Sequence, residues 1–235
     1  MNTDHLAPFY QVLETLAFGP LLQRCRLAHL DQIPAPQHIL LAGEGHGRSL
    51  RACAKRFPDA RITVIDSSAR MLEIARRKSP AEHITFLHTD LLAWQAPARH
   101  FDLIVTHFIL DCLDESELPE VIETLARSAA PDAHWLIADF EIPESGPAKL
   151  AARTLLKTLY LFFKLTTRLR AGSLVPPDPH LRTNGFTLKS RQTHAANILK
   201  AELWQRPVNQ CSSSTLQPDN QIPLCAPAIL AVHSP

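Results

Sequence analysis

The chain spends seven glycines on 235 residues, and three of them, Gly43, Gly45 and Gly47, fall within five positions. Glycine lets a backbone turn through left-handed conformations and pass close to a ligand. A sequence this sparing of it therefore needs a bare backbone at that loop. A helix beginning after the loop would offer its unpaired N–H groups to a negative or carboxylate group. Asp66 follows Gly47 by 19 residues, the interval at which an acid closing a second strand accepts hydrogen bonds from ribose hydroxyls. Asp90, Thr106 and His107 close later apolar runs, as do Asp139 and Glu141. Histidine titrates near neutrality and suits proton transfer, which makes His107 a candidate general base, with Asp139 and Glu141 as alternatives.

The elements that must position these residues alternate in type. HILLA (38–42), RITVID (61–66), HITFLH (83–88), FDLIVTHF (101–108) and AHWLIADF (133–140) are short, nearly continuous apolar runs. Helical periodicity fills 48–57, 67–78, with a serine at its start, and 116–130. Strands apolar on both faces and separated by helices predict a parallel sheet covered on both sides. After Gly146 the pattern changes. A long helix is expected over 148–170, a bend at Pro176-Pro177-Asp178-Pro179, and an antiparallel pair, FTLKSRQT and ILKAELWQ, joined at Ala195-Ala196-Asn197. Two short helices broken at Gly19-Pro20 precede the first strand, and the proline-rich stretch beyond Arg206 reads as a surface extension.

Composition narrows the function. Twenty-four Lys and Arg against 23 Asp and Glu leave a net charge of +1, with no global electrostatic footprint for nucleic acid. Five scattered cysteines without a C-x-x-C pair read as reduced thiols, and twelve scattered histidines without metal-ligand spacing predict no metal. No secretory leader is legible, and the most apolar stretch, 155–165, is interrupted by Lys157 and Lys164, so a cytoplasmic protein is expected.

The loop spacing discriminates between ligands. A dinucleotide fingerprint, G-x-G-x-x-G, would put its third glycine at position 48, which is Arg48. The observed G-x-G-x-G, with Asp66 after strand two, Asp90 after strand three, FDLIVTHF as strand four and a terminal hairpin, resembles the class I S-adenosylmethionine-dependent methyltransferases over about residues 38–204. The resemblance implies a three-layer α/β sandwich: a mostly parallel seven-stranded sheet with a C-terminal antiparallel hairpin and an N-terminal helical lid. It divides the chain into a lid (1–36), a methyltransferase domain (37–204) with a helical insertion at about 147–171, and an extension (205–235). The cofactor would be S-adenosyl-L-methionine and the product S-adenosyl-L-homocysteine. Gly43 and Gly45 would pass under its methionine part, with N–H groups near Gly47 close by. Asp66 would hold the ribose, and Ser67 and Met71, in the segment Asp66-Ser67-Ser68-Ala69-Arg70-Met71-Leu72, would flank ribose and adenine. Asp90 and the Leu91 N–H would meet the adenine, and Thr106 and His107 would lie beside the sulfonium. The family's usual acid two residues before the first glycine is Leu41 here, and Glu44 is the candidate substitute.

The acceptor pocket would come from the flanking segments, with Tyr10, Asp111 and Tyr160 as candidates; Asp111 reads equally as a turn residue. The insertion combines Leu156, Leu159, Tyr160 and Phe163 with six basic residues. It reads as a packed amphipathic helix, a lid over an apolar acceptor, or a basic surface resting on lipid. The expected activity is methyl transfer to a small apolar or aromatic acceptor at oxygen, nitrogen or carbon. Its competitors are a cofactor-binding scaffold without turnover and a methylation-triggered cyclisation. No N-P-P-[YF] motif follows strand four, so no nucleic-acid partner is expected.

Overall fold

Parallel strands buried on both faces must be apolar along their whole length, and the first such run, His38–Ala42, forms β1 at the centre of the sheet. The computed structural model describes residues 20–143, 154 and 174–207. β1 pairs in parallel with β2 (Arg61–Asp66) on one side and β4 (Phe101–His107) on the other. β3 (Ile84–His88) extends the sheet beyond β2, and β5 (Ala129–Phe140) beyond β4, also in parallel. The hairpin of β6 (Thr187–His194) and β7 (Leu199–Gln205) adds antiparallel through β7. The order is β3-β2-β1-β4-β5-β7-β6, the expected seven-stranded, mostly parallel architecture. Because the chain runs outward from β1 to β3 and then returns to the far side of β1, the crevice above the carboxyl ends of β1 and β4 is the topological switch point where ligands bind.

Five helices are described: α1 (Leu21–Leu27), α2 (Arg48–Arg56), α3 (Ala69–Lys78), α4 (Glu117–Ser128) and α5 (Asp178–Thr183). Alternation along β1 divides the core. Ile39 and Leu41 join Leu50 and Cys53 of α2 and Leu72 and Ala75 of α3. Leu40 and Ala42 join Leu118, Ile122 and Leu125 of α4. α1 lays Leu22 and Cys25 on Ala138, Leu199 and Ala201. The Cys25 thiol donates to Lys200 O (3.0 Å), and His29 Nε2 meets Ala201 O (3.1 Å).

Three expectations shift. The 67–78 helix begins at Ala69, because Ser68, not Ser67, turns its side chain to accept from Met71 N (3.2 Å) as the N-cap. The strand expected from Ala133 already starts at Ala129, and its register against β4 shifts between Phe101 and Leu103. Asp132, inside this strand, takes a left-handed φ of 63° at the irregularity. The bend at 176–179 contains a short helix, since proline is tolerated in a first helical turn. Residues 1–19, most of the 147–171 insertion and 208–235 lie outside the described residues, and with them Tyr10 and Tyr160.

Candidate active site

The β1–α2 turn carries three left-handed glycines, with φ of 69° at Gly43, 62° at Gly45 and 77° at Gly47. They are glycine for different reasons. A Cβ on Gly43 would lie 2.6 Å from Ile109 Cγ1, and one on Gly47 would lie 3.1 Å from the Ala75 Cα. Both are held bare by packing. A Cβ on Gly45 would meet nothing within 4 Å, so that stretch of backbone borders open space. Gly47→Ala is therefore expected to lower stability by ~2 kcal/mol through the α2–α3 contact and the forced φ, whereas Gly45→Ala costs only ~1 kcal/mol. Urea unfolding of the two variants checks the order, and equal losses would contradict it.

The loop is tied to the end of β2. Asp66 Oδ2 accepts from Gly45 N (3.0 Å) and Oδ1 from Ser68 N (2.9 Å), so one carboxylate fixes both the glycine turn and the entry to α3. Thr89 N donates to Asp66 O (3.2 Å), bringing the end of β3 alongside. There Asp90 Oδ1 accepts from Leu92 N (3.0 Å) in an exposed turn, while Leu91 packs on the α4-side core. Met71 is buried, and Ser67 offers its carbonyl to His88 Nε2 (3.1 Å). Asp66, Ser67, Asp90 and the glycine loop thus share one rim of the crevice.

Glu44 turns inward. Its Oε1 accepts from Leu50 N (2.9 Å) in the first turn of α2, and burial pushes its carboxyl up to about 7. A carboxyl raised in the folded state binds more protons there than in the unfolded chain, so its contribution declines as pH rises from 4.5 through 7. Glu44→Gln keeps the acceptor and removes the charge. It is expected to match the parent at pH 4.5 and exceed it by ~3 kcal/mol at pH 8. A difference that does not grow with pH would refute the burial argument.

At the end of β4, Thr106 is fully buried and accepts from Trp135 Nε1 (2.8 Å). Its side chain is thereby committed to the α4-side core. His107 Nδ1 lies 2.9 Å from Ser49 Oγ. Burial and the Arg26 guanidinium, which sits 4.9 Å from the Phe108 ring centroid, hold the ring down at about 3. His107 is therefore neutral and a weak proton acceptor.

Beyond β4, Asp111 and Asp139 are both buried and hydrogen-bonded to each other. Burial, then the charge and hydrogen bond of Asp111, push the Asp139 carboxyl well above the usual range. Burial raises Asp111 as well. Glu141 faces away toward the hairpin, where its Oε1 lies 3.4 Å from Arg191. Ser49 and Arg26 went unread in the sequence. Ser49 could have been noticed as the second residue of the helix after the glycine loop, but nothing marked Arg26. No group of three His, Cys, Asp or Glu among the described residues could hold a metal ion.

Residues 39–132 match the family model described as a methyltransferase domain. Over these residues, about two fifths of the chain, it is similar to that family. A curated relative, the trans-aconitate 2-methyltransferase of Paracidovorax citrulli (strain AAC00-1), is 38% identical over 111 residues, covering 44% of this chain and 42% of that protein. The chain spans about two fifths of the length of the curated relatives it matches. Among solved structures, the 1,6-didemethyltoxoflavin-N1-methyltransferase of Burkholderia thailandensis, with S-adenosylhomocysteine bound, superposes with a TM-score of 0.61 at 16% identity. It covers 87% of this chain and 86% of its own. The N-methyltransferase NodS of Bradyrhizobium japonicum WM9, also with S-adenosylhomocysteine, superposes at 0.56 and 21% identity, covering 85% and 88%. The glycine loop, Asp66 and Asp90 all fall inside the matched residues, whereas Asp139 and the hairpin follow them.

Proposed function

We propose that the chain is an S-adenosylmethionine-dependent methyltransferase acting on a small, apolar or aromatic acceptor at oxygen, nitrogen or carbon. One observation carries the reading: the open backbone at Gly45, pinned by Asp66 at the switch point between β1 and β4. The residues there fit the cofactor. The Asp66 carboxylate retains lone pairs for the ribose, Ser67, Met71, Asp90 and Leu91 border the place of the nucleoside, and Gly43, Gly45 and Gly47 leave the loop bare for the methionine part. Glu44 would face the ammonium from inside the loop. The cofactor supplies a methyl group on a positively charged sulfonium, so no acid is needed for the leaving group.

The protein's own task is to hold the acceptor in line and, for an acceptor bearing a proton, to take it. His107, at about 3, is a poor base, and Glu141 is engaged with Arg191. The Asp111–Asp139 pair, whose carboxyls burial pushes up, is the better placed proton acceptor. The sequence of the 147–171 insertion supplies the argument for an apolar acceptor or a lipid-surface contact. No helix among the described residues is long and apolar enough to cross a membrane.

Thermal shift tests the cofactor reading, because a ligand that binds only the folded state raises the melting temperature. S-adenosylmethionine and S-adenosylhomocysteine should both raise it and NAD should not. Stabilisation by NAD alone overturns the proposal. A labelled-methyl screen over small-molecule extracts then identifies the acceptor, with Asp111→Asn slowing transfer and Glu141→Gln leaving it near normal.

A further inference from the structure

The carboxyl end of β5 holds a feature that methyl transfer alone does not explain. Asp139 is 2% exposed, and its Oδ1 has no hydrogen-bond partner. Buried polar atoms without partners are rare and mark an occupant yet to be seated or a chemical role. Alternation along β5 places Asp139 on the same face as Trp135 and Ile137, the α4 side. There Asp111, from the turn after β4, meets it. Phe108, whose N donates to Ala138 O (2.7 Å), brings the end of β4 alongside. The orphaned oxygen therefore lies in the rim where β4 and β5 end, next to the switch-point crevice.

The charged surroundings define what it can take. Lys200 is the register partner of Asp139 on β7, yet its Nζ goes to Glu202 (3.2 Å) and Asp178 (3.4 Å). Arg191 of β6 goes to Glu202, Asp178 and Glu141. Both cations are engaged by carboxylates, and the Cys112 thiol leans on Asp111 Oδ1 (3.6 Å). Asp111, Glu141, Asp178 and Glu202 share this rim with Arg191 and Lys200, both engaged by carboxylates, and with Arg26, which lies over the Phe108 ring. Asp139 Oδ1 itself, an acceptor beside a second carboxyl, is suited to a hydrogen-bond donor and unsuited to a carboxylate.

We propose that the Asp111–Asp139 carboxyl pair is an acceptor-recognition group, with Asp139 Oδ1 receiving the hydrogen of a hydroxyl or amine on the methyl acceptor. Asp111 positions it by occupying the other oxygen of Asp139. The inference rests on the methyltransferase reading, and names the acceptor as one bearing a donor rather than a polycarboxylate.

The test uses the full chain saturated with S-adenosylhomocysteine, whose own titration reports separately on the cofactor site. Catechol and aniline are titrated beside their donor-free forms, veratrole and N,N-dimethylaniline, and beside trans-aconitate. Each donor-bearing probe should bind about tenfold more tightly than its methylated partner, as expected for one hydrogen bond to an otherwise unpaired buried acceptor. Asp139→Leu should abolish that preference. Asp139→Asn, a neutral isostere that keeps a carbonyl oxygen and can donate to Asp111, should restore it. A parent protein that binds neither donor-bearing probe more tightly than its partner overturns the proposal. So does a preference that survives in Asp139→Leu, or trans-aconitate binding that Asp139→Leu removes. A relative preference for catechol over aniline identifies oxygen as the recognised atom, and the reverse identifies nitrogen. Failure of S-adenosylhomocysteine to bind would instead count against the cofactor reading.

Discussion

Replacing Glu202 by alanine is expected to lower stability by ~3–5 kcal/mol. Glu202 is fully buried in β7. Its Oε1 accepts from Arg191 Nε (2.7 Å) and faces Lys200 Nζ (3.2 Å), and its Oε2 accepts from Trp204 Nε1 (2.9 Å). The Lys200 side chain is itself only 5% exposed. Truncation would leave an ammonium buried with a single, more exposed carboxylate 3.4 Å away, and an indole N–H with no acceptor. The penalty is for stranding these groups, not for losing an attractive pair, so the double change Glu202→Leu with Lys200→Met should recover most of the loss. Urea unfolding at constant slope provides the measurement. A loss below ~1 kcal/mol for the single variant would mean that the network is already solvated.

Asp66→Ala should produce the largest effect on ligand binding. The carboxylate holds Gly45 N and Ser68 N on separate oxygens. Its removal frees the glycine turn, unties the start of α3 and deletes the acceptor we propose for ribose hydroxyls. Two charge-assisted hydrogen bonds of ~1.5–3 kcal/mol each predict more than a hundredfold loss of S-adenosylhomocysteine affinity. Ser68→Ala is the control. It removes the bond from Met71 N, costs ~1 kcal/mol of stability, and should leave affinity near that of the parent. Calorimetric titration of both variants decides the matter: an Asp66→Ala protein that binds normally would remove Asp66 from the cofactor site.

Much of the fold was legible because burial on both faces writes itself into sequence. HILLA, RITVID and FDLIVTH each carry a mostly apolar middle with a polar residue at one or both ends, and they became the central strands. The glycine cluster and Asp66 were legible because loop geometry and a strand end both constrain residue type. Other features were hidden for identifiable reasons. α5 was obscured by Pro177 and Pro179, which read as a bend although a first helical turn accepts proline. Lys200 and Glu202 occur in LKAELWQ, a pattern that reads as one solvated face, yet both are buried because Arg191 and Asp178 arrive from other elements to neutralise them. The Asp111–Asp139 meeting joins two residues 28 apart in sequence, and only the parallel pairing of β4 with β5 brings them together. The roles of His107 and Glu44 depended on burial, which residue type alone does not reveal.

The position of β7 inside the sheet also dictates an order of events during synthesis. β7 is the last of the described strands in sequence, yet it lies between β5 and β6, and its carbonyls at Lys200 and Ala201 receive Cys25 and His29 from the beginning of the described chain. Until β7 leaves the ribosome, β5 is an open edge with unpaired backbone groups, and Leu22 and Cys25 of α1 lack Leu199 and Ala201 from their cluster. Fifty-eight residues separate Phe140 from Leu199, so at ordinary elongation rates that interval lasts roughly 3–12 s. Such non-local closure makes folding slow relative to local helix formation. The nascent domain therefore passes through seconds in which its cofactor loop can already be built while its hydrophobic edge is still exposed to chaperones and to other unfinished chains.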